Sequence, residues 1–139
     1  MNDSASIVKQ YVEAMNGHDI DKVRQLLHPK YSYTGGDGKR QDGIEAGINV
    51  ATMYMNAFPD MKLDVQKSVT IGDIVVTEFI GRGTQNGRFM DIAPTGRKVA
   101  VPVCDVVEIR DGKIFSAHEY FDSANMLQQL GVLPKQAQA

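Results

Sequence analysis

At 139 residues the chain has the length of one ordinary domain, which buries roughly two-thirds of the surface its unfolded chain exposes. Its 42% hydrophobic and 23% charged residues, with a formal net charge of −2, lack the basic surplus that polyanion binding demands, so nucleic acid is not an expected partner. The single cysteine, Cys104, excludes an internal disulfide framework and fits a reducing, cytoplasmic setting; no Cys/His spacing closes a zinc site, and no segment approaches the ~20 apolar residues that span a bilayer.

Helical periodicity opens the chain. After a cap at Ser4, Val8, Tyr11, Val12 and Met15 fall on one face until Asn16-Gly17 stops the run. A shorter helix follows an Asp19 cap, with Ile20, Val23, Leu26 and Leu27 as its stripe and His28-Pro29 as its end. Tyr31 to Thr34 reads as a strand entering the Gly35-Gly36-Asp37-Gly38 loop. The third helix carries an Asp42/Glu45 capping-box pair and an Ile44, Ile48, Ala51, Met55, Phe58 stripe, and Pro59 terminates it.

From there the period changes to two. Met61, Leu63, Val65, Val69 and Ile71 alternate with polar residues, which predicts a strand with one buried face. Gly72-Asp73 turns the chain into Ile74 to Arg82, Gly87 to Asp91 extends the sheet, and Lys98 to Arg110 forms a long strand. Asp111-Gly112 opens a hairpin back through Ile114 to Phe121, and a last helix runs from Ser123 to Leu130 before a Gly131 cap. Helices first and strands last argue for an α+β fold, an antiparallel sheet with helices on one side, in one domain over residues 1–139 whose end, 135–139, frays.

The final hairpin is the most informative segment. Its odd-numbered residues are apolar almost throughout: Val99, Val101, Val103, Val107 and Ile109, then Phe115, Ala117 and Phe121. Only Asp105 and Glu119 interrupt them. With an Arg110-Asp111-Gly112 loop the odd residues of both strands share a face, and the two acids become diagonal neighbours roughly 7–8 Å apart. A two-residue loop instead places Asp105 across from His118 and sends Glu119 to the opposite face, because one residue of slip reverses every side chain. The apolar pattern favours the first register. There, burial and mutual repulsion disfavour two full charges, so one carboxyl holds its proton to higher pH and the pair can serve as acid and base.

Five segments together carry a family resemblance: His28-Pro29-Lys30-Tyr31, Phe58-Pro59-Asp60, Ala93-Pro94-Thr95-Gly96-Arg97, Asp111-Gly112-Lys113-Ile114 and Gln129-Leu130-Gly131. From Ser6 to about Leu133 the chain resembles the SnoaL-like polyketide cyclases, within the superfamily that also holds ketosteroid isomerase and nuclear transport factor two. The resemblance implies a cone: a curved antiparallel sheet wrapped around the N-terminal helices, with an apolar pocket inside. It also implies aldol ring closure without metal or cofactor. Glu119 falls where the family places an acid/base aspartate, Asp105 where it places an assisting histidine, and Tyr33 where it places an asparagine. A second likeness, to ketosteroid isomerase, rests on Tyr11 and Asp105; the isomerase's base would fall in Thr34 to Asp37, where Asp37 is the one carboxylate.

The expected catalytic residues are therefore Glu119 and Asp105; the alternative is a binding or assembly module of the same fold, in which both carboxylates are hydrogen-bonded and ionised. Tyr11, Tyr33, Tyr54, Val103 and Phe121 are the expected substrate contacts, for an apolar carbonyl-bearing small molecule. Met53, Met55, Met61, Met90 and Met126 are candidates for an adaptable apolar wall. Cys104 lies on the outer, even-numbered set with no base placed beside it. Val106, Ile114 and Tyr120 on that same set suggest an exposed apolar sheet face and hence a homodimer. Neither a metal nor a cofactor is expected, nor is contact with a membrane.

Overall fold

The computed structural model describes residues 3–133, so the tail at 135–139 lies outside the described residues. Two helices open the fold, α1 (Ser4–Asn16) and α2 (Ile20–Leu26). Asp3, one residue before the expected cap, accepts the Ser6 N–H at 2.7 Å and starts α1; Asp19 starts α2 as its position predicts, accepting from the Lys22 N–H. Strand β1 (Leu27–Thr34) begins directly at the end of α2, four residues earlier than the sequence suggests, and pairs with the short β2 (Arg40–Asp42). The capping box expected at the next helix does not form. Asp42 is a β2 residue bound to Arg40, Glu45 pairs with Arg24, and Gly43, at φ 96°, begins α3 (Ile44–Ala57).

Strands β3 (Lys62–Ile71), β4 (Ile74–Thr84), β5 (Lys98–Arg110) and β6 (Lys113–Phe121) follow, and α4 (Ser123–Gln129) closes the described chain. The six strands form one open, curled sheet in the order β2-β1-β6-β5-β4-β3. Every neighbouring pair is antiparallel except β1–β6, which is parallel, so the sheet is mixed rather than wholly antiparallel. The helices lie against its concave face. Ile7, Val23, Ile48 and Ala51 from the helices meet Val75, Val101, Val107 and Ile114 from the strands in one core.

Two bulges decide which side chains face that core. Asp111 and Gly112, at φ 53° and 70°, make a tight two-residue turn with Arg110 opposite Lys113. Phe115 is then an extra residue in β6, because Ile109 pairs with Ile114 but Glu108 pairs with Ser116. The two-residue loop and the shared odd face therefore coexist, one on each side of the bulge. Ile114 consequently points into the core, only 2% exposed, and is not part of the outer face expected of it. Phe115 turns out instead, against His28 and under Arg110.

The second bulge, at Gln66 in β3, breaks the alternation expected of that strand. Val65 opposes inward Phe79, but beyond the bulge Ser68 opposes inward Thr77, which sends Val69 and Ile71 outward. Ile71 is 75% exposed, so this edge strand does not bury one continuous face. Gly87 to Asp91 adds no strand either. There the chain makes a tight turn, Phe89 and Ile92 exchanging both backbone hydrogen bonds around Met90 and Asp91.

Candidate active site

The sheet register places the acid pair. Thr77, Asp105 and Glu119 stand directly opposite one another on β4, β5 and β6. Asp105 and Glu119 are thus direct cross-strand partners rather than diagonal ones, with Cβ atoms roughly 4.5–5.5 Å apart as such pairs are. The Phe115 bulge is the cause, since it replaces the three-residue loop as the device that restores parity. Both residues are half-buried, and both line one cavity between the concave sheet and helices α1, α3 and α4.

Their surroundings differ. Asp105 Oδ1 is buried and has no hydrogen-bond partner among the described residues. Burial first, and then the Glu119 charge, raise its pKa well above the ordinary carboxylate range. Glu119 is also raised by burial, with the Tyr33 hydroxyl beside its carboxylate offsetting part of that rise. Burial disfavours the anion at both positions, and only at Glu119 does a phenol counter part of it. Two like charges at this separation in an apolar chamber disfavour double ionisation, so the pair keeps a proton to higher pH than a lone carboxyl would.

Four tyrosines surround the pair: Tyr11 from α1, Tyr31 and Tyr33 from β1, and Tyr54 from α3. Burial, reinforced by the nearby carboxylates, raises the pKa of all four, so each stays a neutral phenol able to donate. Tyr31 was not expected here. Its signal was the period of two from Tyr33, which marks both as residues of one strand face, but it lay hidden in the His28-Pro29-Lys30-Tyr31 run. Its ring is held by Gly47 of α3, where a Cβ would come within 2.7 Å of it. Likewise, a Cβ at Gly35 would come within 3.0 Å of the Tyr33 hydroxyl and one at Gly36 within 2.8 Å of Phe121, so this loop lies flat on two cavity residues.

All seven side chains singled out from the sequence, Glu119, Asp105, Tyr11, Tyr33, Tyr54, Val103 and Phe121, line the cavity. Asp37 does not; it is exposed in its loop and accepts from the Lys39 N–H. Of the candidate methionines Met61 and Met126 line the wall, whereas Met55 is packed in the core and Met90 is 64% exposed at its turn. Arg82 is held by Asp64 at 3.2 Å. Among the described residues no group of three His, Cys, Asp or Glu side chains is placed to hold a metal ion, and no helix is long and apolar enough to cross a membrane.

The sequence also gave no sign of Gln85. Fully buried, it reaches the carbonyls of Gly87, Ile92 and Ala93 through Nε2 and accepts from the Thr95 N–H and hydroxyl through Oε1. It thereby ties down the β4–β5 loop, whose Phe89 packs on the cavity residues Tyr54 and Phe58.

Comparison with known proteins agrees with this architecture. The family model described as SnoaL-like polyketide cyclase matches residues 5–130. Aklanonic acid methyl ester cyclase AcmA of Streptomyces galilaeus is 27% identical over 133 residues, covering 94% of this chain and 92% of that protein. The crystal structure of IdmH from Streptomyces antibioticus superposes with a TM-score of 0.81 at 31% identity, covering 94% of this chain and all of the other, 100%. A SnoaL-like structure from Jannaschia sp. CCS1 reaches a TM-score of 0.86 at 22% identity, with 94% and 93% covered, a likeness of fold.

Proposed function

The chain belongs to the SnoaL-like polyketide cyclase family, and from that premise we propose that it is a cyclase-type enzyme performing cofactor-independent acid–base chemistry on an apolar, carbonyl-bearing small molecule. The observation that carries this reading is the unequal pair: a carboxyl group beside the Tyr33 hydroxyl and, directly across from it, one whose Oδ1 faces no partner among the described residues.

In this reading Glu119 removes a proton from the carbon next to a carbonyl, and the C–H electron pair becomes the enolate. Asp105, protonated, hydrogen-bonds the carbonyl oxygen as negative charge develops there. The enolate carbon then attacks a second carbonyl of the same molecule, forming a C–C bond. The resulting alkoxide takes a proton from the acid pair, which returns to its starting state when Glu119 gives up the proton it removed. The tyrosines orient the carbonyls without supplying charge, because each keeps its proton. Apolar walls exclude water, which strengthens both interactions.

Glu119→Gln tests the assignment on enolisable ring ketones and polyketide esters. A positioned general base contributes about 10²–10⁴-fold, so turnover falls by that factor in a folded variant. Unchanged turnover removes Glu119 from the mechanism.

The same reading takes the chain as a homodimer acting in the cytoplasm. Val69 and Ile71 of β3 and Tyr120 of β6 are exposed on the outer side of the sheet, a face suited to a second copy. A monomeric mass in light scattering at micromolar concentration contradicts it.

A further inference from the structure

Two glycines line the cavity, Gly47 and Gly81, and they do opposite things. The space a side chain would take at Gly47 is filled, with the Tyr31 ring 2.7 Å and Leu27 Cδ1 2.9 Å from the position of a Cβ. At Gly81 nothing comes closer than the Val101 carbonyl oxygen at 3.8 Å, an ordinary contact. Gly81 also lies outside the left-handed region, so its backbone does not require glycine. Neither turn geometry nor close packing explains it.

Its position gives the missing side chain a meaning. Along β4 the inward residues run Val75, Thr77, Phe79, Gly81, and Gly81 is flanked across the sheet by Leu63 and Val101, both cavity residues. Thr77 opposes Asp105, so Gly81 lies four residues, about 13 Å of strand, from the acid pair. The cavity holds the acid pair at one end; at the other its wall is cut back between Leu63 and Val101, with Arg82, paired to Asp64, beside them.

We propose that Gly81 sets substrate length: it opens an apolar subsite that receives the distal ring or chain of an elongated ligand whose carbonyl lies at Asp105 and Glu119. This deepens the reading of the cavity as a carbonyl site by naming its substrate class, an extended apolar ketone or ester rather than a compact one. A side chain at Gly81 projects into the subsite and shortens the ligand the chamber accepts.

Binding of straight-chain methyl ketones of six to twelve carbons, measured by calorimetry, tests the proposal without turnover, so it can fail or hold separately from the acid–base assignment. In the wild-type chain each added methylene tightens binding by about fourfold until the chain passes Gly81. In Gly81→Leu that gain stops several methylenes earlier, while the shortest ketones bind as before. Gly81→Ala, whose Cβ meets nothing within 3.8 Å, gives a smaller displacement in the same direction and decides the matter if the leucine variant does not fold. The same length dependence in folded variant and wild type, or none in the wild type, overturns the proposal.

Discussion

Gln85 is a fully buried polar side chain and Asp105 a half-buried one with an enclosed Oδ1, and they sit in the molecule in contrasting ways. Gln85 spends both ends of its amide on five protein groups and fixes a loop. Asp105 leaves an oxygen without any partner among the described residues and fixes nothing. Buried polar groups are ordinarily satisfied, since an orphaned one costs about 1–3 kcal/mol. A fully bonded group therefore reads as structure, and a group that is kept unbonded reads as one awaiting a ligand.

The contrast is sharpest in stability. Gln85→Leu strands three carbonyls and the Thr95 donors, so it should lose about 2–4 kcal/mol and roughly 6–12 °C of Tm in thermal unfolding. A loss below about 1 kcal/mol would dissolve the distinction from the Gln85 side.

Asp105→Asn should act in the other direction. Its folded pKa lies above the unfolded value, so its protonated form suits the folded state, and stability is lost as pH rises from about 4 through the raised folded pKa. Removing the titration should raise stability, and with it Tm, near pH 8, with the gain vanishing below about pH 4. A pH-independent change in Tm would point to packing instead.

Tyr33→Phe tests the asymmetry within the pair. Without the phenol, Glu119 is harder to ionise, so the rising limb of the pH–activity profile should move up by about one pH unit. A limb that stays in place detaches Tyr33 from the base.

The smallest effect concerns the loop that Gln85 holds. Met90 adopts a left-handed conformation, φ 53°, that an exposed methionine side chain does nothing to compensate. Met90→Gly should gain about 0.5–1 kcal/mol in denaturant unfolding.

Particular residues show how far the sequence reaches. The acids were legible because Asp105 and Glu119 break an alternation that is otherwise apolar, and α1 and α2 because their stripes and stops are local. The bulge at Phe115 was not, because Ile114 and Phe115 are both apolar and either can occupy the inward position. The Gln66 bulge was hidden in the same way by a strand whose apolar residues continue after the parity reverses. Gly43 took over the cap of α3 because β2 claimed Asp42, a pairing that depends on distant β1. Gln85 carried no signal at all, since its five partners come together only once the β4–β5 loop has closed.

Whether two acids share a proton inside the apolar chamber is read from a titration of the carbon-13-labelled carboxyls of Asp105 and Glu119 by NMR. A shared proton gives two coupled steps, the upper one well above the usual carboxylate range, with Glu119 ionising before Asp105. Independent ionisation of both near the ordinary value of about 4 would contradict it.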